Sequence, residues 1–231
     1  MIDYSIGITT YSKRYDKFLI NLMSEIRKDI NNEIILGING DYHEEFNENY
    51  RKNILELSTK YDKVFPFIYT KFRSLSKLWN NIVINASHEY VLILNDDISI
   101  TNSIFWETIE TVINKHQTSF KMDNKFCYFI IKKSELNEVG WFNERLLGIG
   151  WEDNDFSDRY EKQFNRPLLN IVDILGIKRF TDMQDRIVNQ RRGLMGFNSY
   201  SEFNREVYNE NLIPIQQYPY EDFFWKNYNK L

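Results

Sequence analysis

Tyr90-Val91-Leu92-Ile93-Leu94-Asn95-Asp96-Asp97 is the stretch on which the fold turns. Five residues, mostly apolar with β-branched and aromatic members, predict a buried strand. The run then stops on an amide and two carboxylates. A strand that ends on acids carries them at its carboxyl end, which in an open α/β sheet is where ligands sit. Hard oxygen donors suit Mg²⁺ or Mn²⁺, cations that commonly bridge protein carboxylates and substrate phosphates. Taken alone, the octet also fits a polar turn before a helix, because Asn and Asp favour turns and caps.

Outward from this strand the chain alternates. Tyr4–Thr9 is predicted as a strand followed by the polar turn Thr9-Thr10-Tyr11-Ser12. A helix starting near Asp16 places Phe18, Leu22 and Ile26 on one face. Glu33–Ile38 is a second strand, closed by Asn39-Gly40-Asp41. A helical segment with Ile54 and Leu57 runs from about Glu44 to Lys60, and Val64–Ile68 is a third strand. Leu75, Leu78, Trp79, Ile82 and Val83 follow the spacing of an amphipathic helix. Beyond the acidic octet, Ser103 is expected to cap a helix carrying Phe105, Ile109 and Val112. This alternation predicts an α/β fold with a mostly parallel, Rossmann-like sheet flanked by helices on both faces.

The second half opens with a strand, Phe126–Ile131, and a short helix, Ser134–Val139, that ends at Gly140 with Ser134 as its expected cap. A helix follows Gly148-Ile149-Gly150-Trp151-Glu152-Asp153-Asn154-Asp155-Phe156. Arg166–Phe180 is expected to hold one or two short strands, and Asp182–Gln190 and Ser201–Asn209 to be helical. A division near Asn124 separates two functional halves, 1–124 and 125–231, of one domain.

Composition sets bounds. The chain has 231 residues, 42% hydrophobic and 27% charged, enough for one sizeable α/β domain or a domain plus a small appendage. A formal charge of −4 gives no basic footprint for nucleic acid. The single cysteine, Cys127, excludes an intrachain disulfide framework, and its apolar surroundings predict a buried, inert thiol. No apolar run approaches the ~20 residues of a membrane span, and Met1-Ile2-Asp3-Tyr4 leads straight into a strand, so a cytoplasmic protein is expected. The aromatic tail with Tyr218, Tyr220, Phe223, Phe224 and Trp225 either packs back on the domain or docks it to a membrane or partner.

Among polar candidates, Gly148-Ile149-Gly150 is no dinucleotide fingerprint, since the third glycine is missing. The acids Glu152, Asp153 and Asp155 fit a helix's first turn, where each contributes about 0.3–1 kcal/mol against the macrodipole. They also lie beside two glycines, which allow close approach to a ligand, and Trp151, an apolar platform; a carboxylate there can act as a general base. Arg73, Lys77, Arg191 and Arg192 either balance a diphosphate or form solvated faces. His43, His88 and His116 share no spacing and are expected at the surface.

Several of these segments together carry a family pattern. Ser5-Ile6-Gly7-Ile8-Thr9-Thr10-Tyr11 resembles the opening strand and turn of family 2 glycosyltransferases with the GT-A fold. Asn80 precedes Tyr90 by the ten residues seen in that family's helix-to-strand unit. Asn95-Asp96-Asp97 falls where the family carries its Asp-x-Asp motif. Gly140-Trp141-Phe142-Asn143-Glu144 resembles Gly-Gly-Phe-Asp-Glu, and Gly150–Phe156 resembles the acceptor-side Gly-Trp-Glu-Asp-x-Asp-Phe. The resemblance spans residues 4 to 160. It implies a metal-dependent, inverting hexosyltransferase that uses a UDP-sugar and a glycan or glycolipid acceptor. Thr9, Thr10, Tyr11, Asn39, Arg73, Asn80, Asn95 and Asp96 would bind the nucleotide sugar, and Asp97 the Mn²⁺ or Mg²⁺. Asp153 would be the base, with Glu152 beside it on sugar hydroxyls, and Trp151 and Asp155 would complete the acceptor side. Three features depart from the pattern: Asn95 replaces its first acid, Ile38 stands where an acid often reads the base, and no histidine follows Trp151. A sugar-phosphate nucleotidyltransferase shares the layout but usually has a Gly-rich loop that Thr9–Arg14 lacks. A non-catalytic carbohydrate-binding relative is the third alternative.

Overall fold

The computed structural model describes residues 3–40, 45–180 and 200–209. The helix expected over Asp182–Gln190, the aromatic tail, His43, Arg191 and Arg192 lie outside these residues.

The strands are β1 (Tyr4–Tyr11), β2 (Ile34–Asn39), β3 (Val64–Ile68), β4 (Tyr90–Asn95), β5 (Ile98–Ile100), β6 (Phe120–Met122), β7 (Lys125–Lys132), β8 (Leu169–Ile171) and β9 (Ile177–Arg179). Seven of them form one sheet in the order β3-β2-β1-β4-β7-β6-β8. The pairs among β3, β2, β1 and β4 are parallel, and β7 alone runs against its neighbours. The mostly parallel sheet expected from the alternation is therefore present, and β1 and β4 lie at its centre. Their residues read as continuous apolar runs because both faces are covered.

Helices α1 (Ile20–Asp29), α2 (Glu48–Lys60) and α4 (Ile104–His116) pack on one face, and α3 (Leu75–Asn85), α5 (Lys133–Val139) and α6 (Glu152–Phe164) on the other. The first face buries Leu22, Ile26, Ile54, Leu57, Phe105 and Ile109. The second is built on aromatic rings: Trp79 meets Phe129 at 5.0 Å and Phe142 at 4.9 Å, and Phe142 meets Phe156 at 4.6 Å. Such edge and tilted contacts suit ring quadrupoles and fill volume at low entropy cost. A further helix, α7 (Tyr200–Tyr208), buries Tyr200, Phe203, Asn204 and Val207.

Local polar chemistry decided several boundaries differently from the sequence expectations. α4 is not capped by Ser103; the Asn102 carboxamide accepts the Ile104 N–H instead, at 3.0 Å. Ser134 caps nothing: α5 begins one residue earlier, and the Ser134 N–H donates to Glu89 at 3.1 Å. α2 starts at Glu48, where Asn47 accepts the N–H groups of Asn49 and Tyr50. Before α1 the chain makes a 3₁₀ turn, Ser12–Arg14, and a π turn, Tyr15–Leu19, so the helix expected from Asp16 is wound differently over its first turn. The short strands β5 and β6 carry no period of their own; β5 pairs with β9 in a small separate sheet. The β6–β7 hairpin turns on Asp123 and Asn124, both at positive φ, which Asp and Asn tolerate. The main sheet thus continues across the boundary expected near Asn124.

One close contact fixes α3 against the sheet. A Cβ placed on Gly7 in β1 would lie 2.2 Å from Cγ2 of Ile82, a β-branched side chain with one preferred rotamer in a helix. Gly7→Ala is expected to destabilise the protein by about 1–3 kcal/mol, the range for overpacking a filled core. Urea unfolding measures it, and Ile82→Ala in the same chain should recover part of the loss, so the two changes will not add.

Candidate active site

The carboxyl ends of β1, β2 and β4 converge on one edge of the sheet. Thr9 is level with Asn95 and Tyr11 with Asn39 in the strand registers, so the β1 turn, the β2 end and the acidic octet are neighbours. Thr9, Thr10, Asn39, Asp96 and Asp97 are buried, and Tyr11, Arg73 and Asn95 are partly so. Tyr50 from α2 backs Thr10 and Asp96, and burial pushes its phenol well above the ordinary tyrosine range.

The two acids are held by guanidiniums. Arg14 Nε lies 2.7 Å from Asp96 Oδ1, and Arg14 Nη2 3.4 Å from Asp97 Oδ2. Arg179 Nε approaches Asp97 Oδ2 at 3.4 Å, and the Phe180 N–H donates to the Asp97 carbonyl at 2.7 Å. Nothing local in the sequence singled out Arg14 or Arg179; their pairing with the acids depends on a turn geometry and on the β5–β9 pairing.

Asp97 Oδ1 and Asn95 Oδ1 are buried and have no hydrogen-bond partner among the described residues. Two hard oxygens left open beside a carboxylate fit Mg²⁺ or Mn²⁺, which take remaining ligands from water and substrate phosphates. Among the described residues no group of three His, Cys, Asp or Glu side chains could hold a metal by itself.

Three expected site residues have their polar atoms committed to the protein. The Asn39 carboxamide donates to the Arg73 carbonyl and accepts the Arg73 N–H, both at 2.8 Å. It therefore holds the segment between β3 and α3 that carries Arg73, whose guanidinium lies 5.7 Å from the Tyr69 ring. Asn80 clamps Phe142 in the same two-way manner, at 2.9 and 3.0 Å, and also donates to Glu144. Asp155 is taken by Arg159, at 2.6 and 2.9 Å, and accepts from Asn143. Arg159 in turn donates to the carbonyls of Val139, Gly140 and Trp141, so this pair fastens the 139–143 loop.

The 147–152 loop is set by α7. Asn204, fully buried, donates to the carbonyls of Leu147 and Gly150 and accepts the Leu147 N–H. Gly150 and Trp151 both have positive φ, which for a tryptophan is a strained conformation. The Tyr208 ring, 5.1 Å from the indole, helps hold it. Strain of this kind persists only where surrounding contacts over-determine it. The Leu75 N–H donates to the Gly148 carbonyl, joining the loop to the start of α3 on the second face of the sheet. Asn204 was not singled out from the sequence, because an asparagine in an amphipathic helix carries no sign of what it will cap.

Glu152 and Asp153 differ in surroundings. Glu152 is buried, its Oε2 accepts the Gly150 N–H at 2.5 Å, and burial pushes its carboxyl up to about 7. Asp153 is partly exposed and accepts the adjacent Asn154 N–H at 3.0 Å. Elsewhere, Cys127 is buried and desolvation raises its thiol to about 11, consistent with an inert side chain. His116 is exposed, whereas His88 is half-exposed and sits 3.0 Å from Ser5 Oγ and 3.5 Å from Glu33 at the opposite end of the sheet.

No family model and no curated protein matches the sequence. Solved structures match the fold. TarS of S. aureus superposes with a TM-score of 0.58 at 14% identity over 82% of this chain and 38% of its own. GalNAc-T7 with UDP, GalNAc and Mn²⁺ gives 0.63 at 11% identity over 91% of this chain and 48% of its own. The mannosyltransferase PcManGT of Pyrobaculum calidifontis with GDP-Man and Mn²⁺ gives 0.54 at 11% identity over 74% of this chain and 56% of its own. The chain thus spans less than two thirds of the length of each of these structures. What it shares with them is the GT-A fold.

Proposed function

We propose that the protein is a metal-dependent, inverting glycosyltransferase that moves a hexosyl group from a UDP-sugar to a hydroxyl of a glycan acceptor. The observation that carries this reading is the junction at the end of β4, where the open oxygens of Asn95 and Asp97 lie beside the strand ends of Thr9–Tyr11 and Asn39. The fold likeness to proteins solved with UDP or GDP-Man and Mn²⁺ supports it.

In this reading Thr9, Thr10 and Tyr11 line the nucleotide pocket, and Asn39 shapes it by holding Arg73. Asp96 lies at the ribose or sugar, and Asp97 holds the cation. Mn²⁺ or Mg²⁺ bound there supplies Lewis-acid stabilisation of the leaving diphosphate. The acceptor hydroxyl attacks the anomeric carbon, its proton passes to Asp153, and the bond from that carbon to the diphosphate oxygen breaks on the opposite face. Asp153 suits the base role because its carboxylate is partly open to solvent, whereas Glu152 is sealed against Gly150. Trp151 offers an apolar platform toward the acceptor sugar, and Glu152 keeps the loop that carries it in place.

Three outcomes are expected. Asp97→Asn abolishes Mn²⁺-dependent UDP binding in calorimetry while the thermal unfolding profile stays native; unchanged affinity removes the metal assignment. Asp153→Asn lowers transfer by about 10²–10⁴-fold with UDP-sugar affinity retained, because the base touches the acceptor and not the diphosphate. Near-wild-type transfer would refute the base assignment, and Glu152→Gln should weaken transfer less.

The third outcome concerns pH. The folded Glu152 carboxyl titrates above its ordinary 4.5, so the protonated form favours the fold. That contribution is complete below about pH 4.5 and is lost as pH rises through about 7. Glu152→Gln is neutral throughout and should gain on the wild type by up to about 3 kcal/mol at pH 8, with no gain at pH 4. Urea midpoints at the two pH values measure this, and a gain that does not change with pH excludes it.

A further inference from the structure

We propose that Arg14, the more buried of the two guanidiniums that the described residues bring to the Asp96–Asp97 pair, keeps a bare divalent metal off Asp97 until a diphosphate arrives, so that metal and nucleotide bind cooperatively. This rests on the metal-dependent reading of Asp97 above and adds to it the residue that sets when the metal enters.

Arg14 occupies the pair by construction. It ends the 3₁₀ turn after β1 and precedes the π turn Tyr15–Leu19. Its guanidinium lies 4.9 Å from the Phe18 ring centre and 5.8 Å from that of Tyr11. Phe18 in turn leans on Phe180, 5.9 Å away, whose N–H holds the Asp97 carbonyl. The same few residues therefore seat both the cation and the acids. The Arg14 side chain is 14% exposed and that of Asp96 3%, so water screens this contact weakly. Arg179, at 40%, is more open.

Among the described residues two guanidiniums face two carboxylates, so a divalent ion arriving alone meets competition from resident cations. It must also displace Arg14 and the more open Arg179 from Asp97 Oδ2 to use both oxygens of that carboxylate. A buried carboxylate cannot easily lose its cation without a substitute, since an uncompensated buried charge is strongly unfavourable. The donor changes that balance. Its diphosphate brings negative charge to the same strand ends and gives Arg14 another anion to pair with, while the metal takes over Asp97. A planar guanidinium suits both roles, because its fork matches carboxylate and phosphate alike. Arg14 is then a donor-binding residue as well as a counter-ion, and the linkage it creates is reciprocal, with nucleotide and metal each tightening the other.

The test is Mn²⁺ affinity, by calorimetry and by electron paramagnetic resonance of free Mn²⁺, for the wild type, Arg14→Gln, Arg14→Lys and Asp97→Asn, each with and without UDP. Removing a neighbouring positive charge shifts a carboxylate's affinity for a proton by about 10- to 1,000-fold, and the effect on a cation has the same sign. Arg14→Gln should therefore bind Mn²⁺ alone at least about tenfold tighter than the wild type. Arg14→Lys should stay near the wild type, because the charge remains. UDP should tighten Mn²⁺ binding more in the wild type than in Arg14→Gln. Equal or weaker Mn²⁺ binding by Arg14→Gln, with binding lost in Asp97→Asn, overturns the role of Arg14 and leaves Asp97 as the metal ligand. Binding unchanged in Asp97→Asn overturns both assignments. If Arg14→Gln does not fold, the wild type decides the matter: Mn²⁺ affinity that is the same with and without UDP overturns the proposal.

Discussion

A buried strand that ends on two carboxylates creates an electrostatic demand that the surrounding structure must meet. β4 runs through the centre of the sheet with both faces covered, so its last residues emerge where water is scarce. Burying ionised carboxylates without partners is unfavourable by several kcal/mol each. Arg14 and Arg179 answer the demand, and the turn after β1 and the β5–β9 pair exist in the geometry that delivers them. After this pairing Asp97 Oδ1 and Asn95 Oδ1 remain without a hydrogen-bond partner among the described residues.

Around that centre, asparagine side chains act as pieces of backbone. Asn39, Asn80 and Asn204 each use one carboxamide to donate to and accept from the same backbone residue: Arg73, Phe142 and Leu147 respectively. A carboxamide offers a donor and an acceptor with the spacing of a peptide group, so it can satisfy a loop residue that has no strand or helix partner. All three are buried, where an unmade hydrogen bond would be expensive. Three loops bordering the site are thereby fixed without regular secondary structure. Arg159 does the same for the 139–143 loop with its fork of donors, anchored by Asp155. Loop seating of this kind keeps the polar groups along this edge in fixed positions.

The opposite end of the sheet shows how a buried acid is handled when it serves structure alone. Glu135 accepts from Thr118, the Ser119 N–H, Tyr160 and Arg166, which uses the oxygens of its carboxylate fully and joins α5, α6 and the turn between α4 and β6. Asp97, by contrast, has one buried oxygen without a hydrogen-bond partner among the described residues. That difference between two similarly buried acids separates a candidate site from a structural tie more sharply than residue type does.

Periodicity and termination patterns were enough to determine the strand-and-helix alternation, the burial of β4, the buried faces of α1 to α4 and the position of the acidic cluster at the strand end. These are local properties: apolar spacing fixes which face is buried, and strand length fixes where the run ends. The GT-A fold was legible because several short segments keep their order. Only the tertiary structure decided which polar side chains face one another. Asn80 and Asp155 were matched by motif to ligand contacts, yet their atoms are committed to Phe142 and Arg159, residues up to 62 positions away. Arg14 and Asn204 left no sign in the sequence, because a guanidinium or a carboxamide acquires its role from the partner that folding brings to it. The short strands β5 and β6, three residues each, could not be read either, since a strand of that length has no period and exists only through its pairing.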